Sequence, residues 1–393
     1  MKKIKKAPFF TLVLFAVTAL GIYNFLKPVV AFGQIPAYRG NSKFICKTPP
    51  YDPIKKTVYI IADNRLTELF DMLAPFYVFN ASEKLNVYIV AKNRSPILVK
   101  KDLFVLPQLT FREADSLKLK ADVIVIPALS VRDENQDTVL VHWIQSHCTP
   151  TTKMLAVCDG ASTAAATELY NGIPLTCHSS DYAGVKAHFK KAGWVQGVSV
   201  THSGNLFSTA GVSNAVEGSL LVLNDLLGRE VMLKSSKSIN YPYKEIKLTH
   251  QNNIIKFSDK LTVAKKMVFH ANSNPGLLLE NGIDEFTLAG VLDTYSRTFP
   301  ASVKIFTLQD SVFQTKYGLT LVHTGGNKLS GLNEIHILSP GDLSAAEATY
   351  FKDIAMVKYN PQKEYLIDRC LQRIAAQYGE KFRNVVKLML DYN

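Results

Sequence analysis

The sequence predicts an α/β fold in which helices cover both faces of a mainly parallel sheet. Three apolar runs indicate buried strands: TVYIIAD at 57–63, NVYIVAKN at 86–93 and ADVIVIPAL at 121–129. Near-continuous apolar runs that alternate with helix-like segments are typical of parallel strands buried on both sides. The expected architecture is therefore flavodoxin-like, with functional side chains at the carboxyl ends of the strands.

The later elements continue this alternation. VLVHWIQSHC at 139–148 predicts a helix, and MLAVC at 154–158 predicts the next strand. NGIPLTCHSSD at 171–181 predicts a turn into a short strand, and Ser203-Gly204-Asn205 indicates a hairpin turn. A long apolar helix should then begin near Ser213 and end at Gly228, because glycine is common just after a helix.

Residues 7–26, APFFTLVLFAVTALGIYNFL, contain no charged side chain and follow the basic stretch MKKIKK. As a helix, they are long enough to cross a hydrocarbon core of about 30 Å. The preceding lysines favour a cytoplasmic N-terminus, with the main domain on the other side of the membrane. The alternative is a signal peptide cleaved near Val29-Val30-Ala31, which would leave a secreted protein.

The charge pattern argues against a nucleic-acid partner. The formal net charge of the 393 residues is +12, but Lys2, Lys3, Lys5 and Lys6 lie together at the N-terminus and the other basic residues are dispersed. The surplus is better explained as solvated surface, near anionic lipid, than as a recognition helix.

The cysteine pattern predicts no metal site and no cofactor. The five cysteines show neither CxxC nor Cys/His metal-ligand spacing. An odd number outside the cytoplasm leaves at least one free thiol or an intermolecular pair. Cys158 is the candidate for the free thiol, and the pairing of Cys46, Cys148, Cys177 and Cys370 stays open.

Part of the chain is repeated. LLLENGIDEFTLAGVLDTYSRTF at 277–299 resembles IIADNRLTELFDMLAPFYVF at 60–79, and YGLTLVHT at 317–324 resembles KDLFVLPQ at 101–108. We expect a degenerate, non-catalytic half-repeat that packs against the first domain or completes its sheet. The expected segments are 1–27 (anchor or signal), 28–53 (linker), 54–236 (α/β domain), 237–270 (connector), 271–345 (half-repeat) and 346–393 (helical C-terminal segment).

The stretch MLAVCDGASTAAA at 154–166 predicts a strand that turns sharply into a helix, with Cys158 at the turn. Small neighbours permit a tight backbone, and the N–H groups of a helix N-terminus favour a thiolate and can stabilise an oxyanion. Cys158 is therefore a candidate nucleophile. The alternative is a cysteine that is buried for packing alone.

Four motifs in this order resemble those of the DJ-1/PfpI superfamily, whose fold is that of class I glutamine amidotransferases. They are FDMLAPFYVF at 70–79, VCDGA at 157–161, GIPLTCH at 172–178 and SGNLFSTAGVSNAVEGSLL at 203–221. The resemblance covers about 57–228. Within the superfamily, the four motifs are most similar to those of the branch that contains the isocyanide hydratases and the sensor domains of AraC-type regulators.

The resemblance implies that Asp71 lies close to Cys158. A buried carboxyl beside a thiolate is pushed toward protonation, and it can then donate a hydrogen bond to sulfur or act as general acid and base. The alternative is an aspartate that caps the helix ahead of Pro75.

The other candidate residues follow from the same motifs. His178 matches the family's histidine, which orients or protonates a substrate, although a structural histidine is an equal alternative. The backbone N–H groups of Asp159 and Gly160 are candidate oxyanion donors. The residues expected to shape the pocket are Thr176, Thr209 and Gly211.

Two functions are compatible with these residues. The first is a cysteine-dependent hydrolase or hydratase-like activity on a small electrophile, and the second is a non-catalytic ligand-binding or sensing module without a DNA-binding region. Asp159 replaces the small hydroxyl residue of the hydratase branch, and because it follows Cys158 directly, the elbow lacks the Cys-His dipeptide of the peptidase-like branch. Many superfamily members look like dimers, so a homodimer is expected unless the half-repeat replaces that contact.

Overall fold

The computed structural model describes residues 38–40, 44, 46, 48–251, 254–269, 274–300, 303–308, 311–326, 330–339 and 343–392. The predicted membrane segment at 7–26 and the first part of the predicted linker lie outside the described residues. Within the described ranges, no helix has the length and apolar character needed to cross a membrane.

The elements follow in chain order. The strands are β1 (Lys56–Ala62), β2 (Leu85–Ala91), β3 (Ile97–Lys100), β4 (Leu103–Val105), β5 (Leu109–Thr110), β6 (Val123–Ile126), β7 (Lys153–Ala156), β8 (Pro174–Leu175), β9 (Gly193–Trp194), β10 (Val200–Ser203), β11 (Leu206–Thr209), β12 (Pro275–Leu278), β13 (Lys304–Phe306), β14 (Val312–Gln314), β15 (Thr320–His323), β16 (Glu334–Ile337) and β17 (Ala355–Lys358). The helices are α1 (Leu69–Ala81), α2 (Phe111–Leu117), α3 (Thr138–His147), α4 (Gly160–Ala166), α5 (Tyr182–His188), α6 (Ala215–Leu227), α7 (Arg229–Ser238), α8 (Phe257–Phe269), α9 (Glu285–Ser296), α10 (Ala345–Tyr350), α11 (Leu366–Tyr378) and α12 (Glu380–Leu390).

The main sheet has seven strands in the order β10-β11-β7-β6-β1-β2-β5. All neighbours are parallel except β10 and β11, which form a hairpin. The predicted α/β fold with a mainly parallel sheet is therefore confirmed.

Helices cover both faces of this sheet because alternate side chains of a strand point to opposite sides. Val58 and Ile60 of β1 pack into the cluster that contains α1 and α6. Tyr59 and Ile61 pack into the other cluster, with α3 and α4. Tyr59 contacts Trp143 of α3 there, with ring centroids 5.8 Å apart.

The C-terminal half, residues 274–392, contains a second parallel sheet with the order β13-β12-β16-β17. This order matches β2-β1-β6-β7 of the main sheet, and α9 follows β12 as α1 follows β1. The two helices begin alike. Glu68 caps α1 by accepting from the Asp71 N–H, and Asp284 caps α9 by accepting from the Thr287 N–H.

A third sheet joins the two halves, with the antiparallel order β14-β15-β4-β3. In it β15 pairs with β4, so that Leu321 lies opposite Val105 and His323 opposite Leu103. The similar segments 101–108 and 317–324 are therefore neighbours in space. Helices α1 and α9 also pack together, with the rings of Phe70 and Phe286 5.6 Å apart.

The region after residue 345 differs from the prediction of a purely helical segment. It contains β17, which pairs in parallel with β16. Ala355 of β17 lies opposite Glu334, the first residue of β16, and Lys153 of β7 lies opposite Val123, the first residue of β6. Ala355 and Lys153 therefore occupy corresponding positions in their sheets. Counting forward from these residues, Asn360 takes the place of Cys158. The similarity to the main sheet thus extends beyond residue 345, the predicted end of the half-repeat.

Candidate functional site

Cys158 lies at the turn between β7 and α4. Its φ is +55°, in the left-handed region that a residue with a Cβ rarely adopts. The Cys158 N–H donates to Thr209 Oγ1 at 3.3 Å, and the Val157 N–H donates to the Ile126 carbonyl at 2.9 Å. Neighbouring strands therefore hold the turn in the backbone geometry of a nucleophile elbow.

Gly160 gives the elbow the space it needs. A Cβ atom at this position would lie 2.0 Å from the Ile126 carbonyl oxygen and 2.7 Å from that of Pro127. The Gly160 N–H donates to the Val157 carbonyl at 2.8 Å, so it is not free to bind an oxyanion as the sequence suggested. The Asp159 N–H makes no hydrogen bond within the described part of the chain and remains the candidate donor.

Asp71 lies fully buried in the first turn of α1. Its Oδ2 accepts the Ala128 N–H at 3.1 Å, just beyond the carboxyl end of β6. Its Oδ1 is buried and has no hydrogen-bond partner among the described residues. Burial, and then the charge of Glu68, raise the pKa of Asp71 well above its usual value. This shift favours the protonated carboxyl, and because Oδ2 accepts the Ala128 N–H, Oδ1 is the oxygen available to carry the proton.

The Cys158 side chain is only 3% exposed. Burial raises the pKa of its thiol well above the usual value, and the charges of Asp71, Asp159 and Glu68 act in the same direction, whereas Arg132 opposes them. The sequence suggested a thiolate stabilised by the helix N-terminus. The structure instead holds a neutral thiol, because desolvation and neighbouring carboxyl groups outweigh the partial charge of a short helix.

Asp159 contributes to this effect from the position next to the thiol. Its carboxylate pairs with Arg132 at 2.9 Å, and Arg132 also lies 3.6 Å from Asp181. Burial raises the pKa of Asp159 to about 8, which the charge of Arg132 only partly offsets. Arg132 was not among the site residues predicted from the sequence. The signal was its place in the charged loop directly after the third predicted strand, because such loops line the site in parallel sheets.

Glu68 links this cluster to the C-terminal half. Burial and the charge of Asp293 raise the pKa of Glu68 to about 7, while Lys100 and Arg297 oppose the shift. Lys100 Nζ lies 2.7 Å from Asp293 Oδ1, and Arg297 forms an ion pair with the same carboxylate. An Arg297 nitrogen lies 3.9 Å from Glu68 Oε1. Residues at the start of α1, at the end of β3 and at the end of α9 thus share one largely buried ionic cluster near the elbow.

His178 is held away from a catalytic role. Its Nδ1 accepts the Ser180 N–H at 3.2 Å, so Nε2 carries the proton and donates to the Met389 carbonyl at 3.3 Å. Burial lowers the pKa of His178, which keeps the ring neutral. Both ring nitrogens are therefore engaged, Nδ1 within its own loop and Nε2 with the end of α12, as the structural alternative expects.

Asp391, directly after α12, anchors the end of the chain on the same loops. Its carboxylate accepts the Ser179 N–H at 3.0 Å and lies 3.1 Å from His250 Nε2. Although burial alone would raise it, the hydrogen bond from His250 and the nearby histidines hold the pKa of Asp391 below its usual value. A Cβ atom on Gly211 would lie 2.0 Å from the Asp391 Cβ. Gly211 therefore permits this docking.

The two predicted pocket threonines have different partners. Thr209 Oγ1 accepts the Cys158 N–H and so supports the elbow directly. Thr176 is buried, and its N–H donates to Ser208 Oγ at 2.9 Å. Only Thr209 is thus tied to the nucleophile by a hydrogen bond.

The cysteines and acidic groups offer no metal centre among the described residues. All five cysteines are free thiols. In the ranges that the structure describes, no group of three or more His, Cys, Asp or Glu side chains could hold a metal ion.

A protein-family model described as the DJ-1/PfpI family matches residues 56–224. These residues form a DJ-1/PfpI domain. The domain contains Cys158, Asp71 and Arg132, whereas Arg297 and Asp391 lie beyond its matched end. No curated protein matches the chain.

Solved structures similar to the chain carry related descriptions. Drosophila melanogaster DJ-1beta is 19% identical with a TM-score of 0.42, and the match covers 48% of this chain and 100% of that one. Schizosaccharomyces pombe DJ-1 is 20% identical with a TM-score of 0.40, over 48% and 100% of the two chains. A ThiJ/PfpI family protein from Pseudomonas syringae is 19% identical with a TM-score of 0.38, over 49% and 77%.

Proposed function

We propose that the DJ-1/PfpI domain is a cysteine-dependent enzyme with hydrolase- or hydratase-like chemistry on a small, uncharged electrophile. One observation carries this proposal. Cys158 occupies a left-handed elbow close enough to the buried Asp71 for an ionised carboxyl to raise the thiol pKa, and Asp71 Oδ1 has no hydrogen-bond partner among the described residues. A functional constraint is a common reason for both backbone strain and an unsatisfied buried oxygen.

The proposed step is an addition of the thiol across a polar double bond. The Cys158 sulfur bonds to the electrophilic carbon, and the π electron pair moves to the oxygen or nitrogen of the substrate. That atom takes the proton from Asp71 Oδ1, and the thiol proton replaces it on the carboxylate. The net result is transfer of one proton from sulfur to the substrate heteroatom, with the Asp159 N–H as candidate donor to the developing anion.

The charges around the thiol favour an uncharged substrate. Glu68 and Asp159, whose pKa values are about 7 and about 8, add negative charge near the sulfur as they ionise. An anionic substrate would be repelled there, and the small exposed fraction of Cys158 favours a small molecule. The four sequence motifs that resemble isocyanide hydratases agree with a substrate of this kind, whereas Asp159 argues against an identical reaction.

The proposal is tested by modifying the folded full-length chain with methyl isothiocyanate, whose C=N bond accepts a thiol. Peptide mass spectrometry then gives the rate at each cysteine. We expect Cys158 to react faster than Cys46 and Cys148, which are half-buried thiols whose pKa burial also raises. Cys158→Ser should remove only the fast reaction. Modification of Cys46 and Cys148 with no reaction at Cys158 would contradict the proposal.

A second candidate function is a ligand-binding or sensing module. The nearly complete burial of Cys158 and the raised pKa of its thiol favour it, because both slow nucleophilic attack. In that case a small ligand stabilises the folded chain and no bond to sulfur forms. The same mass measurement distinguishes the two functions.

We propose further that residues 7–26 anchor the chain in a membrane, with the domain outside the cytoplasm. The charge-free run behind MKKIKK supports this. Alkaline phosphatase fused to the C-terminus should be active and stay with the membrane fraction after carbonate extraction. Release of a product that begins near residue 32 would establish a cleaved signal instead, and an inactive fusion would rule out export.

We also propose that the C-terminal half is a degenerate copy of the first part of the domain. The shared strand order and the matching caps at Glu68 and Asp284 support this. Thr287 replaces Asp71, and Asn360 stands where Cys158 would be. The copy has therefore lost both reacting groups.

A further inference from the structure

A cavity of about 490 Å³ lies between α12 and the segment that precedes α8. Its lining includes Lys247, His250 and Gln251 from that segment and Asn384, Lys387 and Tyr392 from the C-terminal region. The volume falls within the range typical of small-molecule sites. None of the side chains that line it within the described ranges is acidic.

The charges of the cavity point to an anion. Burial lowers the pKa of Lys387, and the positive charges of Arg383 and Lys247 lower it further, while Asp368 partly offsets them. The two lysines therefore lie close enough to repel each other in a partly desolvated place. A bound anion would relieve this repulsion.

Among the described residues near the cavity, the carboxyl groups of Asp391 and Asp368 already have partners. Asp391 accepts from Ser179 and contacts His250. Asp368 accepts the Tyr392 hydroxyl at 2.6 Å. The cavity is also lined by the side-chain amides of Asn384 and Gln251, which are hydrogen-bond donors like the two ammonium groups.

We propose that this cavity binds a small organic anion with a carboxylate or phosphate group. The ammonium groups of Lys247 and Lys387 bind the anionic oxygens, and the side-chain amides of Asn384 and Gln251 donate to them. Charge-assisted hydrogen bonds of this kind are the strong ones in proteins. The inference does not depend on the chemistry of Cys158, although Asp391 connects the cavity to the loop of His178.

Inorganic phosphate and citrate are suitable probes, used with the full-length chain in a non-ionic detergent and with sodium chloride at matched ionic strength. We expect at least one of them to raise the thermal midpoint beyond the effect of chloride. The double variant Lys247→Gln/Lys387→Gln should weaken this binding at least about tenfold. The double variant Lys352→Gln/Lys363→Gln, which removes the same charge from exposed positions outside the cavity, should bind as the parent does.

Lys387→Arg keeps the positive charge and should retain binding. It distinguishes a loss of charge from a folding defect as the cause of weaker binding in the double variant. Equal weakening in both double variants would show a general ionic effect and overturn the proposal. Stabilisation by neither phosphate nor citrate beyond that of chloride would overturn it as well.

Discussion

Gly160→Ala should destabilise the protein by about 3 kcal/mol and abolish the fast reaction of Cys158. The new Cβ would lie 2.0 Å from the Ile126 carbonyl oxygen, and this atom belongs to backbone at the end of β6 that cannot rotate away. Either the carboxyl end of β6 or the elbow has to shift, and both hold Cys158 in place. Chemical denaturation gives the change in free energy of unfolding, and peptide mass spectrometry gives the reactivity.

Gly184→Ala is the matched control. Gly184 lies within α5, and a Cβ atom there would meet nothing within 4 Å. The substitution should leave Cys158 unaffected and stabilise the helix slightly, since alanine is the better helix former by about 1 kcal/mol. Equal stability of the two variants would show that the close approach at Gly160 does not constrain the elbow.

The sequence was sufficient for the central strands of the domain and for the strand-to-helix turn at Cys158, but it did not predict β3, β4, β5, α2, α5 or α7. Buried parallel strands leave long apolar runs, so β1, β2 and β6 could be predicted from local pattern. Cys158 and Asp71 were found because one follows such a strand directly and the other lies within a motif. The sequence predicted a lowered pKa for Cys158, but burial raises it. This burial depends on elements distant in sequence, so no local pattern indicates it.

The C-terminal half was harder to predict for a physical reason. In β17 only Val357 is buried, because the strand lies at the edge of its sheet. The segment AMVK therefore lacks the apolar run of a central strand, and the surrounding helical pattern concealed it. Arg297 and Asp391 reach the first domain only through the packing of α9 and α12. Their places near the site follow from tertiary structure alone.

Asp71→Asn should slow the addition of the Cys158 thiol to methyl isothiocyanate by about 100-fold, because general acid–base groups contribute factors of this order. The raised pKa of Asp71 favours the neutral carboxyl, whose shape and charge asparagine preserves. The amide oxygen can still accept the Ala128 N–H. What is lost is the ability of Oδ1 to give a proton to the substrate and regain one from sulfur.

The most direct measurement of this account is the rate of Cys158 modification in the parent, Asp71→Asn and Asp159→Asn chains. Each carboxyl group raises the thiol pKa when it is ionised, but only Asp71 is assigned the proton transfer. The account expects Asp71→Asn to react more slowly than the parent and Asp159→Asn to react faster. If Asp71→Asn also reacts faster, Asp71 acts only through its charge, and the proposed role of this carboxyl in the chemistry of Cys158 is wrong.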